Sequence, residues 1–193
     1  MWSESTAEDL AREWISGSGR RWAHLSAVGR LAEETRAWGT GLPSSVVQAA
    51  WVHDIGYASG LRDTGMHAID GARALLRFGA PVAVVALVAH HTGAVYEAAE
   101  RGLADQFGEL PVAYGADLDA LTLLDLVVGP AGDLTTPEER IGEILSRYGA
   151  EDPVHRAVTR SGPGLLASAM RARARLRLSD EWPFGVAESV LEA

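Results

Sequence analysis

The sequence predicts an all-α fold, a single-domain helical bundle spanning 1–193. Three observations lead there. Apolar residues recur at steps of three and four along most of the chain. Glycine and proline punctuate these runs in the order that ends one helix and opens the next: Gly39-Thr40-Gly41 before Pro43, Gly79 before Pro81, and Gly129-Pro130 before Pro137. The 193 residues, 47% hydrophobic, suffice for one sizeable core and not comfortably for two.

Taken in order, Ser5 to Trp14 reads as a short peripheral helix with Ala7, Leu10 and Trp14 on one face and Ser5 or Thr6 as its cap. Ser16-Gly17-Ser18-Gly19 breaks it. Arg20 to Trp38 is a stronger helix whose inward stripe runs His24, Val28, Leu31, Thr35 and Trp38. Pro43 suits the first position of the next helix, Ser44 to about His53, which is apolar on nearly every side and therefore central. Gly56 is its expected stop, and Tyr57 to Gly65 reads as a loop. Met66 to Phe78 is amphipathic, with His67, Ala74, Leu75 and Phe78 on one side. Val82 to His91 follows Pro81. Its valine-rich middle would also suit a strand; the proline and the helical neighbours favour a helix. Glu97 to Phe107 reads as a polar connection.

Asp117 to Val128 is a further apolar helix that carries Asp125 among leucines. Thr136-Pro137-Glu138-Glu139 starts a helix to Tyr148: a cap, a proline, then acids at the positive end of the dipole. Glu151 to Arg160 and Gly164 to Leu178 read as two more helices, and Trp182 onward as a loosely attached tail. Arg171, Arg173, Arg175 and Arg177 spread over two faces of the last helix and read as solvated. No repeat or low-complexity segment interrupts the chain.

Composition excludes several chemistries. There is no cysteine, so a metal would rest on His, Asp or Glu, and thiol catalysis is out. All 17 basic residues are arginine, which removes lysine Schiff bases and a P-loop lysine. A net charge of -9 argues against a nucleic-acid partner. No apolar run approaches the ~18 residues of a membrane span, and the start of the chain lacks the basic-then-apolar order of a signal peptide. A cytoplasmic location and a small-molecule partner are expected, and a homodimer is compatible with this reading.

Five of the six histidines, His24, His53, His67, His90 and His91, lie on inward faces or at the ends of apolar helices. His53 is followed by Asp54. An imidazole beside a carboxylate at the end of a buried helix is costly unless something pairs with both, and a divalent ion does so. Donors drawn from successive helices are one way to build a metal site inside a bundle. His155, beyond this region, reads as a surface or capping residue.

The order of these residues resembles the HD-domain superfamily of metal-dependent phosphohydrolases, whose pattern is His, then His-Asp, then a distant Asp on an all-helical fold. Arg21-Trp22-Ala23-His24 is similar to the first motif, Trp51-Val52-His53-Asp54-Ile55-Gly56 to the second and Leu123-Leu124-Asp125-Leu126 to the last. The resemblance covers about 20–148, the expected metal-site core, with the helices of 151–178 packed on it.

The resemblance implies that His24, His53, Asp54 and Asp125 hold one divalent ion. Asp54 would bridge to a second, ligated also by His67 and by His90 or His91. Asp54 and His67 are the residues it would place in catalysis. Neighbouring helix positions point about 100° apart, and the stripe through Val84 and Val88 favours His91. Asp125 is preferred to Asp117 and Asp119 for its mid-helix position. Many relatives carry lysine where this chain has Tyr57. Asp70 would orient His67 or face solvent. The implied activity is hydrolysis of a nucleotide or other small phosphate ester, with one or two ions of Mn, Fe, Co, Ni or Zn. Arg20, Arg21, Arg62 or Arg73 would grip the phosphate. Two alternatives remain: a di-iron oxygenase built on the same donors, and a non-catalytic ligand-binding protein.

Overall fold

In the computed structural model, which describes residues 2–184, the centre of the molecule is a short helix, α3, Ser44–Val52. Seven of its residues, Val46 through Val52, are buried. Around it pack α1 (Glu4–Ile15), α2 (Arg20–Ala37), α5 (Val82–His90) and α8 (Ala116–Leu126). A helix apolar on all sides is stable only when enclosed in this way. α2 and α3 meet where the Trp51 ring lies on Gly29. A Cβ added to Gly29 would come within 2.3 Å of the indole, so glycine is what lets the two helices meet.

A second layer is formed by α4 (His67–Arg77) against α5, and by the long α10 (Pro153–Leu176) against α6 (Ala94–Glu100), α8 and α9 (Pro137–Arg147). A short α7 (Ala104–Gly108) packs on α6. Among the described residues the regular structure is helical, apart from one isolated antiparallel bridge between Val128 and Leu134. By length and apolarity Val82–Glu100 could span a membrane, contrary to the expectation that no run comes near this. Half of that window is buried in the fold, and the chain bends within it at Thr92.

Several local expectations change. The α1 cap is Ser3, whose side chain accepts from the Thr6 amide, and the buried face is Ala7, Ala11 and Ile15. Trp38 leaves the α2 stripe and is 49% exposed, because the helix has ended at Ala37. Pro43 and Pro81 sit one residue before their helices, at the caps. The region 97–107 holds the end of α6 and α7 rather than a bare connection. The two C-terminal helices are one, α10, which runs through Pro163.

The start of the tail is attached. Trp182 is buried, and Arg173 donates to the carbonyls of Ser179, Asp180 and Trp182. Its remainder, 185–193, lies outside the described residues. Arg171 makes two hydrogen bonds to Asp119, at 2.9 and 2.7 Å, tying α10 to α8. The basic stretch is thus partly a packing device. His155 does act as a cap: its Nδ1 is 3.1 and 3.0 Å from the carbonyls of Leu145 and Tyr148, at the end of α9.

Candidate metal centre

Where α3 ends, His53 keeps helical dihedrals, and the backbone departs from them at Asp54. His53 caps the helix, and Asp54 leads into a tight 3-10 turn over Ile55–Tyr57, followed by a second over Ser59–Leu61. Gly56 is therefore not the helix stop. It is where α4 crosses: a Cβ there would stand 2.0 Å from the His67 carbonyl and 2.6 Å from the Gly71 amide nitrogen. This contact lays the first residue of α4, His67, beside Asp54.

Six side chains converge here as two triads: His24, His53 and Asp125, and Asp54, His67 and His91. One donor atom from each member lies within 4.8 Å of the others in its triad. In the first, His24 Nε2 is 3.0 Å from Asp125 Oδ1 and 3.3 Å from His53 Nε2, and the His53 to Asp125 distance is 3.8 Å. In the second, His67 Nε2 is 3.2 Å from His91 Nε2 and 3.5 Å from Asp54 Oδ1. Asp54 Oδ1 also lies 3.8 Å from His91 and 3.9 Å from His53, so it stands between the triads. Two donors about 2.1 Å from one ion and 90–110° apart are separated by about 3.0–3.4 Å. The closest pairs match that spacing, and these buried groups could hold a metal ion.

The supports of the rings favour the same use. His24 Nδ1 donates to the Gly129 carbonyl at 3.1 Å, His53 Nδ1 to Ala50 at 2.9 Å and His91 Nδ1 to Val88 at 2.6 Å. A carbonyl only accepts, so the proton of each ring sits on Nδ1, and the Nε2 lone pair faces the centre. The Gly129 carbonyl belongs to the loop closed by the Val128–Leu134 bridge. The carboxylates are divided in a similar way. Asp54 accepts from Arg21 Nη1 on Oδ2 at 2.9 Å, and Asp125 accepts from the Thr92 hydroxyl on Oδ2; each leaves Oδ1 to the centre.

Thr92 does this from left-handed backbone, φ 44° and ψ 42°, which is strained for a β-branched residue. Thr92 and Gly93, at φ 77°, turn the chain from α5 into α6.

Burial dominates the electrostatics. It pushes His53 down from its ordinary value, and His67 to about 3. Burial also opposes a charge on His24, but the hydrogen bond and charge of Asp125 outweigh it and raise that imidazole. Burial would raise Asp54, yet His53 and Arg21 hold its carboxyl far below the usual range. Asp125 is likewise held low by His24 and His53.

Tyr57 occupies the position where a lysine was the comparison. Its ring stacks on His67 at 4.2 Å, and the Arg21 guanidinium lies 3.4 Å above it. Burial raises the phenol, which stays protonated.

Of the expected residues, His24, His53, Asp54, His67, His91 and Asp125 come together. His90 does not. Its ring packs on Phe107 at 4.7 Å, facing away from both triads. Asp70 neither orients His67 nor faces solvent; it is buried and accepts from Thr64 and Gly65, holding the turn before α4.

Among the four arginines, Arg21 touches a triad. Arg62 donates to the Tyr57 carbonyl and is exposed, and Arg73 pairs with Asp63 and Glu109 away from the cleft. Arg20 is exposed at the rim of an adjoining cavity.

A cleft of about 110 Å³ lies over the donors, walled also by Arg140, Ile144, Arg147 and Tyr148 of α9 and its cap. The sequence reading missed these residues, although positions 140, 144, 147 and 148 share one helical face. No family model, curated protein or solved structure matches the chain.

Proposed function

We propose that this chain is a metal-dependent phosphohydrolase of the HD type, acting on a nucleotide or other small phosphate ester. The observation that carries the reading is the pair of donor triads with Asp54 Oδ1 between them, in the order His, His-Asp, His, His, Asp along the chain. His24, His53 and Asp125 would hold one divalent ion, and Asp54, His67 and His91 a second. Bound there, divalent ions supply a hydroxide nucleophile near neutral pH and neutralise charge developing on a phosphoryl group.

The chain's own residues do the rest. Arg21 holds Asp54 through one oxygen, so the other keeps a single direction. Tyr57 and Arg21 cover His67 on its open side and narrow the entrance. Arg21, Arg140 and Arg147 line the cleft and favour an anionic group, although the whole chain is acidic.

The test is a screen of Mn, Co, Ni and Fe against nucleotides and phosphomonoesters. Metal-dependent phosphate release that is abolished in His53→Ala is expected. Metal-loaded protein that releases no phosphate from any of them would overturn the reading. Two tightly bound irons with a mixed-valence signal would then favour the oxygenase.

A further inference from the structure

A second cavity adjoins the cleft. Its volume is about 280 Å³, and it is lined by Arg20, Arg21, His24, Pro130, Arg140, Glu143 and Arg147. Arg21, His24, Arg140 and Arg147 line both spaces, so the second cavity reaches the candidate centre at His24. Four guanidinium groups face this cavity against one carboxylate, in a chain of net charge -9.

Two details go beyond a charged rim. Arg140 is only 9% exposed, and its Nε is buried without a hydrogen-bond partner. That Nε has almost no accessible surface, so an anion in the cavity would meet Arg140 at its terminal nitrogens, of which Nη1 now holds Glu143. The other detail is Glu143. Its two carboxylate oxygens are split, one taken by Arg140 and the other by Arg147, so one negative charge serves two positive ones. Arg20, on the same lining, has no ion-pair partner among the described residues. Guanidinium groups lining one cavity suit a phosphoryl group, which accepts bidentate hydrogen bonds from arginine.

We infer that Arg140 and Arg147, with Arg20 on the same lining, form a second phosphate subsite that Glu143 fills until substrate arrives, so that the substrate carries a further phosphoryl group beside the one released. This rests on the phosphohydrolase reading. When a phosphoryl group enters, it takes the bonds that Glu143 makes to the two arginines, and the carboxylate turns to solvent, to which its side chain is already 36% exposed. Glu143 thus keeps the subsite from holding two repelling cations in the empty state, at the cost of competing with substrate.

The test uses the full-length chain and inorganic pyrophosphate. Calorimetric titration into chelator-treated protein reports the arginines without the metal donors. Pyrophosphate is expected to bind, about tenfold more weakly in Arg140→Gln and in Arg147→Gln, and more tightly in Glu143→Gln. Arg160→Gln, which alters an exposed arginine outside the cavity, controls for general charge. Arg147 is partly exposed, so its variant remains informative should Arg140→Gln fail to fold. Affinity unchanged in both Arg147→Gln and Glu143→Gln overturns the subsite.

Turnover separates the two readings. In metal-loaded protein, a nucleoside diphosphate is expected to be preferred over the monophosphate, and Arg147→Gln to narrow that preference through KM. Phosphate release without such a preference overturns the subsite alone. Arginine-dependent pyrophosphate binding without any phosphate release overturns the hydrolase.

Discussion

His24 Nε2 and His53 Nε2 face each other at 3.3 Å while both Nδ1 atoms donate to backbone carbonyls. Two neutral rings held in this way present lone pair to lone pair, so a cation belongs between them. Asp125 raises the His24 imidazole above its ordinary value, which favours a proton there in the metal-free chain. A divalent ion would displace it. Metal binding should therefore release protons, measurable as a buffer-dependent binding enthalpy. His53→Ala should lower affinity by at least about tenfold to a hundredfold. Unchanged metal content in that variant would show that the first triad is not a ligand set.

Metal should also stabilise the fold, because the donors come from α2, α4 and α8 and from the ends of α3 and α5. A site that forms only in the folded chain adds about 2.7 kcal/mol at a free ion concentration one hundred times Kd. Thermal unfolding with and without chelator measures this. Equal melting temperatures in chelator and in excess Mn or Co would refute it.

Acid should destabilise the metal-free chain. Burial lowers His53 from 6.5, and His67 to about 3. Unfolded imidazoles take up protons near 6.5 while these two do not, so the unfolded state binds more protons between pH 6.5 and 3. Stability then falls with falling pH. His24 is raised and works in the opposite sense: its contribution is present below 6.5 and lost as pH rises through its folded value. The two effects fall in different windows: His24 acts above 6.5, and the loss from the lowered rings, His90 among them, falls below it. Asp54 and Asp125, held below 3.8, add a further loss in stronger acid. Urea midpoints in chelator at pH 6.5, 5.5 and 4.5 should decline in that order; a flat series would mean that these rings charge freely in the folded state.

Gly56→Ala should cost about 3 kcal/mol, the upper end for overpacking. Its new methyl would meet backbone atoms of α4, the nearest at 2.0 Å, and no flexible side chain can yield there. Because the same contact positions His67, metal affinity should fall together with the urea midpoint. Full stability combined with native affinity would show that α4 can shift without consequence for the second triad.

Thr92 separates stability from binding. Its left-handed backbone costs about 1–3 kcal/mol, and losing a hydrogen bond to a buried carboxylate costs a similar amount. Thr92→Gly should therefore leave the unfolding midpoint almost unchanged while weakening metal binding. Thr92→Ser, which keeps the hydroxyl, should bind as the parent does. Parental affinity in the glycine variant would remove Thr92 from the support of Asp125.

The helices were legible because burial imposes a period. Val28 and Leu31 on α2, the solid apolar run of α3 and the cap before α9 are local patterns with local causes. Less legible were features set by contacts distant in sequence. Pro163 and its flanking glycines look like a break, yet α10 passes through them because it packs on α6, α8 and α9 together. Gly56 looks like a helix stop, and its actual reason is a backbone crossing from α4.

By itself the sequence determined the class of fold and the inventory of donors: imidazoles and carboxylates only, in a given order, with no cysteine and no lysine to compete. Tertiary structure decided which donor atoms meet. It set His91 beside Asp54 and His67, as the stripe through Val84 and Val88 had favoured, brought Arg140 and Arg147 to the mouth and fixed Thr92 beneath Asp125. The physical reason is directional. Helical periodicity tells which face of a helix is buried, but each of His53, Asp54, His67 and His91 stands at a helix end or just beyond one. There the backbone dihedrals, set by turns and by crossing elements, aim the side chain.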